Sequence, residues 1–92
     1  MDFGEALRLL KDGLRVRRAG WNGKGMWLAL TWGYTITAAQ ARSGAVLAQV
    51  EAEEVESVEI LPHIDMRTAS GEICIGWLAS QTDMLAEDWE VL

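Results

Sequence analysis

The sequence of 92 residues has few of the residues that cross-link a chain or bind metals. It contains one cysteine, one histidine and one proline. A single cysteine excludes an internal disulfide and any metal site built on several thiolates. The apolar runs are too short to cross a bilayer, and Asp2 and Glu5 stand where a signal peptide would be basic. These features are typical of a cytoplasmic protein in a reducing compartment.

Positive charge is also scarce, with 8 Lys and Arg against 14 Asp and Glu. Most basic residues precede residue 25, and only Arg67 follows the acidic run that begins at Glu51. Polymeric nucleic acid requires a broad basic face, so we expect neither nucleic acid nor a membrane as partner. A small anionic ligand is compatible with this composition, because a few cations and backbone amides are enough to hold it.

Tryptophan, by contrast, is abundant, with 5 residues in a chain that is 50% hydrophobic. A chain of this length buries only about two-thirds of its unfolded surface on its own. Part of the apolar surface is therefore expected to form subunit contacts, where Trp and Met are favoured. The alternative is a Trp-rich core in a monomer. We predict a homo-oligomer.

The hydrophobic pattern predicts an α+β fold, with one antiparallel sheet and a short helix near each end, in a single domain of residues 1–92. Asp2 is expected to cap the first helix and Gly13 to end it. Ser80 is expected to cap the second helix, which would run through Ala86. Asn22–Gly23 predicts a tight hairpin turn.

The second half of the sequence is partly ambiguous. Residues 35–50 predict either a short helix capped by Thr37 or a loop, and Glu51–Glu56 predicts a solvated turn. Ile73, Ile75 and Trp77 alternate as the inward face of a strand. Cys74, between two isoleucines, is expected to be a buried thiol.

His63 and Asp65 lie two residues apart and would share one face of a strand. They suit a pair that orients a ligand, an acid–base couple, two metal ligands or a structural hydrogen bond. Metal binding is disfavoured because His63 is the only histidine. Ser80 lacks the Gly-x-Ser-x-Gly setting of an exposed nucleophile. We therefore expect no catalytic residue, no metal and no cofactor.

Two other segments suit a small nucleotide. Trp21 lies in a glycine-rich turn, where its ring can stack on a base and the backbone can approach a ligand. If Ser80 caps a helix, amides of the next residues are available to phosphate or ribose oxygens. Asp83 would oppose an anion there, although it can accept hydrogen bonds from ribose hydroxyls. A plain helix start is the alternative.

Four segments of the chain resemble the small phage proteins called Thoeris anti-defense protein Two. They are Met1–Leu7, Gly20–Met26, Pro62–Met66 and Trp77–Trp89, and the match is weak over residues 35–56. The resemblance implies a homotetramer with a helix and an antiparallel sheet. It also implies a cyclic nucleotide signal as partner, chiefly glycocyclic ADP-ribose made by bacterial TIR-domain proteins, and in some members cyclic dinucleotides as well.

The resemblance further implies that the ligand is held and not cleaved. We expect the ligand to lie at residues within or next to the matching segments: Trp21, Asn22, Met26, Trp27, His63, Asp65, Ser80, Gln81 and Asp83. Two rival hypotheses remain, namely a hydrolase of the same nucleotides that uses His63 and Asp65, and an inhibitor that binds a host defence protein.

Overall fold

The computed structural model describes residues 1–21 and 24–92, and it has the α+β class that the sequence predicts. The predicted Asn22–Gly23 hairpin lies outside the described residues. The helices and strands follow in the order α1 Phe3–Lys11, β1 Val16–Arg18, β2 Trp27–Thr31, β3 Tyr34–Thr37, α2 Gly44–Glu53, β4 Ser57–Ile60, β5 His63–Arg67, β6 Ile73–Cys74, α3 Gln81–Leu85 and β7 Trp89–Val91. Short 3₁₀ turns occupy Ala19–Trp21 and Ala38–Gln40.

Helix α1 begins and ends where the sequence predicts. The side chain of Asp2 accepts a hydrogen bond from the amide of Glu5 at 2.8 Å, which satisfies a donor of the first turn. Gly13, with φ of 87°, follows the last turn in the left-handed conformation that ends many helices. Ala6 and Leu10 lie on one face and are buried, so this face is the one that packs on the sheet.

The chain forms two compact units, and the first comprises residues 1–31 and 63–92. Its five strands are antiparallel in the order β6-β5-β2-β1-β7. We call the side of this sheet that carries Val16, Leu28 and Trp89 the core face, because these residues form the buried cluster with Ala6 and Leu10 of α1. Since side chains alternate along a strand, the neighbouring residues form the opposite side, here called the polar face.

The second unit comprises residues 32–62 and forms a sheet of its own, in which β3 pairs with β4 and Ile36 lies opposite Val58. The prediction of one sheet is therefore wrong. Strand β3 was missed, because its alternation covers only four residues within a stretch rich in small polar side chains. The prediction of a turn over the whole acidic run is also wrong, since glutamate favours helices and Glu51–Glu53 complete α2 before Glu54 takes φ of 54°.

The region after β5 also departs from the alternation. Ile73 and Ile75 are 55% and 74% exposed, and Cys74 is exposed, so the predicted inward face and buried thiol are wrong. The physical reason is that β6 pairs with β5 over two residues only, after which Gly76 turns the chain with φ of 82°. Trp77 does face inward and packs against the core, as predicted.

No helix in the described part of the chain is long and apolar enough to span a membrane. The single domain and the homo-oligomeric state stay predictions.

Candidate functional site

The structure divides the predicted ligand residues between the two sides of the five-stranded sheet. Trp21 packs against the core cluster, and α3, which follows Ser80, lies beside α1 on the core-face side. The polar face carries Trp27, His63 and Asp65. Each of them is next along its strand to a residue of the core face, Leu28, Ile64 or Met66, and adjacent residues of a strand point to different sides of the sheet. Asn22 lies outside the described residues, and Met26 directly precedes β2. Within one chain the predicted residues therefore form two groups: Trp21, Ser80, Gln81 and Asp83 on the core-face side, and Trp27, His63 and Asp65 on the polar face.

In the core-face group, Trp21 belongs to an aromatic cluster. Its ring centroid lies 5.4 Å from that of Trp89 and 6.5 Å from that of Trp77, in T-shaped arrangements at 79° and 71°. Phe3 contacts both of these tryptophans from α1. Such edge-to-face pairs stabilise a core by about 0.5–1.5 kcal/mol each beyond their burial. Trp21 is only half-buried, so it combines this packing role with a surface that solvent reaches.

Asp83 takes part in a charge network that was not predicted. Arg18 Nη1 lies 2.7 Å from Asp83 Oδ1, and Arg18 Nε lies 2.8 Å from Asp88 Oδ1. Burial raises the pKa of Asp83, but hydrogen bonds from Arg18 and Ser80 outweigh it and hold this pKa below its ordinary value. Hydrogen bonds from Arg18 and the amide of Gly20 lower the pKa of Asp88, and those to Asp88 and Asp83 raise the pKa of Arg18. Two carboxylates on one guanidinium leave excess negative charge, which disfavours phosphate here.

Ser80 caps α3 as predicted, since its Oγ accepts a hydrogen bond from the amide of Asp83 at 3.1 Å. The indole Nε1 of Trp89 donates to the carbonyl of Asp83 at 3.0 Å, which ties the short helix to the core. Gln81 is exposed. The arrangement accounts for Ser80 and Asp83 as structural residues, and their contact with a ligand stays a prediction.

The polar face carries a tryptophan among arginines. The Cζ atom of Arg15 lies 5.3 Å from the ring centroid of Trp27, a cation–π contact. Arg67 lies directly opposite Trp27 on β5, and the pairing of Val16 with Leu28 places Arg17 opposite Trp27 on β1. Glu90 of β7 pairs with Arg17, with 2.9 Å between Oε1 and Nε. Trp27 therefore has an arginine over its ring and arginines opposite it on both neighbouring strands, in an otherwise acidic protein.

Farther along the polar face, Asp65 is the centre of a hydrogen-bonded group. Its Oδ2 accepts a hydrogen bond from the hydroxyl of Thr31 and lies 3.5 Å from Nε2 of His63. Its Oδ1 accepts a hydrogen bond from the amide of Gly76 at 3.0 Å. Both carboxylate oxygens thus have partners within the chain, which fits the structural and orienting interpretations of the His63–Asp65 pair.

Several residues of these clusters were not predicted as site residues. The alternation around Val16 indicates a basic strand face and thereby signals Arg15 and Arg17. Arg67 carries no local signal, because its position opposite Trp27 depends on the pairing of β5 with β2. In residues 1–21 and 24–92 of one chain we find neither an enclosed cavity nor a cluster of three metal-ligating side chains.

Comparisons with known proteins give one consistent result. A family model described as a Thoeris anti-defense 2-like domain matches residues 1–92. A curated protein described as Thoeris anti-defense 2, from Bacillus phage SP01, is 40% identical over 92 residues. That alignment covers 100% of this chain and 94% of the phage protein. The match includes both units of the structure and every residue of the two groups.

Proposed function

Because this chain belongs to the Thoeris anti-defense 2-like family, we propose that it counters bacterial defence by sequestering a nucleotide immune signal. The ligand we propose is a cyclic ADP-ribose-type molecule, glycocyclic ADP-ribose. The protein holds this molecule in the cytoplasm of the infected cell and releases it chemically unchanged. Whole-chain family membership supports the anti-defense role, and the chemistry of the two side-chain groups supports the choice of ligand class.

The observation that carries the proposal is the arginine-flanked tryptophan of the polar face. A nucleotide with two phosphates needs an aromatic surface for its base and cations for its charge. Trp27 supplies the ring, Arg15 supplies a cation directly over it, and Arg17 is balanced by a single carboxylate, that of Glu90. The core-face group is less suited to the phosphates, because Arg18 is outnumbered there by Asp83 and Asp88. We therefore place the phosphates on the polar face of one copy. Because Trp21 lies on the other side of its own sheet, we assign the stacking contact with the remainder of the ligand to Trp21 of a second copy.

The hydrogen bonds of Asp65 and Asp83 favour ligand binding over ligand hydrolysis. A hydrolase that used His63 and Asp65 would need a carboxylate or imidazole that takes a proton from water. Asp65 already accepts hydrogen bonds from Thr31 and Gly76, so it is suited to holding His63 in one orientation. Asp83 is likewise committed to Arg18. Asp65 and Asp83, held in this way, are poorly placed to take a proton from water themselves.

Assembly completes the proposed site. Leu78 and Leu85 are 89% and 79% exposed, and with Ile73 and Ile75 they provide apolar surface typical of subunit contacts. We propose that four copies associate and that a second copy covers the ligand. Burial of a ligand between chains excludes water and adds contacts, which raises affinity. Sedimentation velocity at micromolar concentration gives the mass of the assembly, and a monomer would contradict this part of the proposal.

Titration calorimetry with glycocyclic ADP-ribose tests the proposed ligand. The wild-type protein should bind it, and Trp27→Ala should weaken binding by about 1–3 kcal/mol, the contribution of one stacked base. Trp32→Ala is the matched control, because Trp32 is 58% exposed and lies outside both groups. Absence of binding by the wild-type protein, together with capture of a stoichiometric host protein, would favour the protein-inhibitor hypothesis instead.

A further inference from the structure

Gly20 and Gly25 each lie against a charged side chain from a distant strand or loop. The amide of Gly20 donates a hydrogen bond to Asp88 Oδ2 at 2.8 Å. The carbonyl of Gly25 accepts a hydrogen bond from Arg67 Nη1, also at 2.8 Å. The backbone is therefore held at Gly20, directly before Trp21, and at Gly25, two residues before Trp27, by side chains far away in sequence.

Both contacts depend on the absence of a side chain. A Cβ on Gly20 would lie 2.8 Å from Asp88 Oδ2, and a Cβ on Gly25 would lie 2.7 Å from Arg67 Nη1. Distances this short do not occur for real Cβ atoms, so an alanine at either position must displace the charged group. Gly25 also has φ of 75°, which disfavours other residues. A side chain at either position would therefore displace a specific charged neighbour.

The two charged groups are themselves fixed. Asp88 Oδ1 pairs with Arg18 Nε, and the carbonyl of Asp88 accepts a hydrogen bond from the amide of Ala19 at 3.0 Å. Asp88 therefore binds two amides of the 3₁₀ turn, those of Ala19 and Gly20. Arg67 Nη1 donates to the carbonyl of Thr68 at 3.2 Å as well as to Gly25. These additional bonds restrict where each side chain can lie, and they make the contacts with Gly20 and Gly25 firm.

The two glycines lie close in sequence to the two tryptophans assigned to the ligand. Trp21 directly follows Gly20, and Trp27, the first residue of β2, is two residues after Gly25. We propose that Asp88 and Arg67 are positioning residues for nucleotide binding, which fix Gly20 and Gly25 and thereby set the places of Trp21 and Trp27. The inference rests on the proposed function. Rings that are already held in place lose less conformational freedom when the ligand binds, so the affinity is higher and the ligand dissociates more slowly.

Release of bound glycocyclic ADP-ribose, followed by intrinsic tryptophan fluorescence after dilution, tests the inference. Gly20→Ala disrupts the contact with Asp88, and Gly25→Ala disrupts the contact with Arg67. Arg67→Met removes the contact between Arg67 and Gly25 by changing the arginine instead of the glycine. We expect each variant to release the nucleotide about 10- to 100-fold faster, by analogy with the loss of affinity when a group that orients a metal ligand is removed. Arg67→Lys keeps a donor and should recover part of the loss.

Gly13→Ala is the control for backbone strain. Gly13 has φ of 87°, and a Cβ at this position would meet no neighbour within 4 Å, so its substitution strains the chain without displacing a charged group. Its melting temperature should fall, because the left-handed strain is similar to that at Gly25, while its release rate stays that of the wild type. A purely structural role of Arg67 would lower the melting temperature and leave the release rate unchanged.

The possible failures can be told apart. If the wild-type protein does not bind glycocyclic ADP-ribose, the proposed function is overturned and the inference with it. If the wild-type protein binds but either glycine variant releases the nucleotide at the wild-type rate, only the positioning role is overturned. Gly20→Ala introduces no left-handed strain, so this variant should fold even if Gly25→Ala does not.

Discussion

Replacement of Asp83 by alanine separates a structural role from a ligand-binding role. Asp83 and Arg18 are 15% and 16% exposed, and their closest N–O distance is 2.7 Å. Hydrogen bonds to charged groups contribute about 1.5–3 kcal/mol, and partial exposure places this one near the middle of that range. We expect Asp83→Ala to lower the free energy of unfolding by about 2 kcal/mol, which for a domain of this size lowers the melting temperature by about 10 °C.

The effect should depend on pH in a defined direction. The pKa of Asp83 is lowered in the fold, so the ionised carboxylate stabilises the native state. This stabilisation is complete above the unfolded pKa of about 3.9 and is lost as pH falls through the lower pKa of the folded state. The difference in melting temperature between the wild type and Asp83→Ala should therefore be largest near neutral pH and should shrink below about pH 4.

Glu90→Ala provides the matched control, because Glu90 and Arg17 form an ion pair of similar length but are 45% and 38% exposed. An exposed pair contributes only about 0–1 kcal/mol. Thermal melts without ligand, at pH 7 and at a series of acidic values, give both comparisons. The reasoning is refuted if Asp83→Ala destabilises no more than Glu90→Ala, or if nucleotide affinity falls while the ligand-free melting temperature is unchanged.

Three further predictions concern core, site and surface. Leu10→Ala should lower the free energy of unfolding in urea by about 2–5 kcal/mol, because Leu10 is 1% exposed. Leu78→Ala should change it by no more than about 0.5 kcal/mol, and similar values for the two variants would contradict the assigned core. Trp27→Ala should bind the nucleotide more weakly than Trp21→Ala if the base stacks on the polar face, and calorimetry that gives the reverse order would place the base elsewhere. Cys74 should react with a thiol reagent in the native protein without denaturant, and protection would contradict its exposed position.

The sequence predicts those parts of the fold that depend on neighbours along the chain. Helix α1 follows from Asp2, the apolar face around Leu10, and Gly13, since a helix is capped and ended by residues close to it. Ser80 predicts α3 for the same reason. The strand around Trp27 follows from alternation alone. Each of these features needs only a few consecutive residues.

The remaining features depend on contacts between distant residues. The exposure of Ile73 and Ile75 reflects how soon β6 stops pairing, which alternation does not reveal. The network of Arg18 with Asp83 and Asp88 joins residues at least 65 positions apart, so no local pattern indicates it. The division of the predicted ligand residues between two faces arises in the same way, because the register of β2 and β5 decides which side chains share a face.

The most direct test of the account is the fate of the ligand. The purified protein is incubated with glycocyclic ADP-ribose, freed of unbound nucleotide, heated until it denatures, and the released material is identified by mass spectrometry. We predict that the nucleotide returns intact and in stoichiometric amount. Recovery of linear ADP-ribose or other cleavage products, which a buffer control does not give, would contradict sequestration and identify the protein as an enzyme.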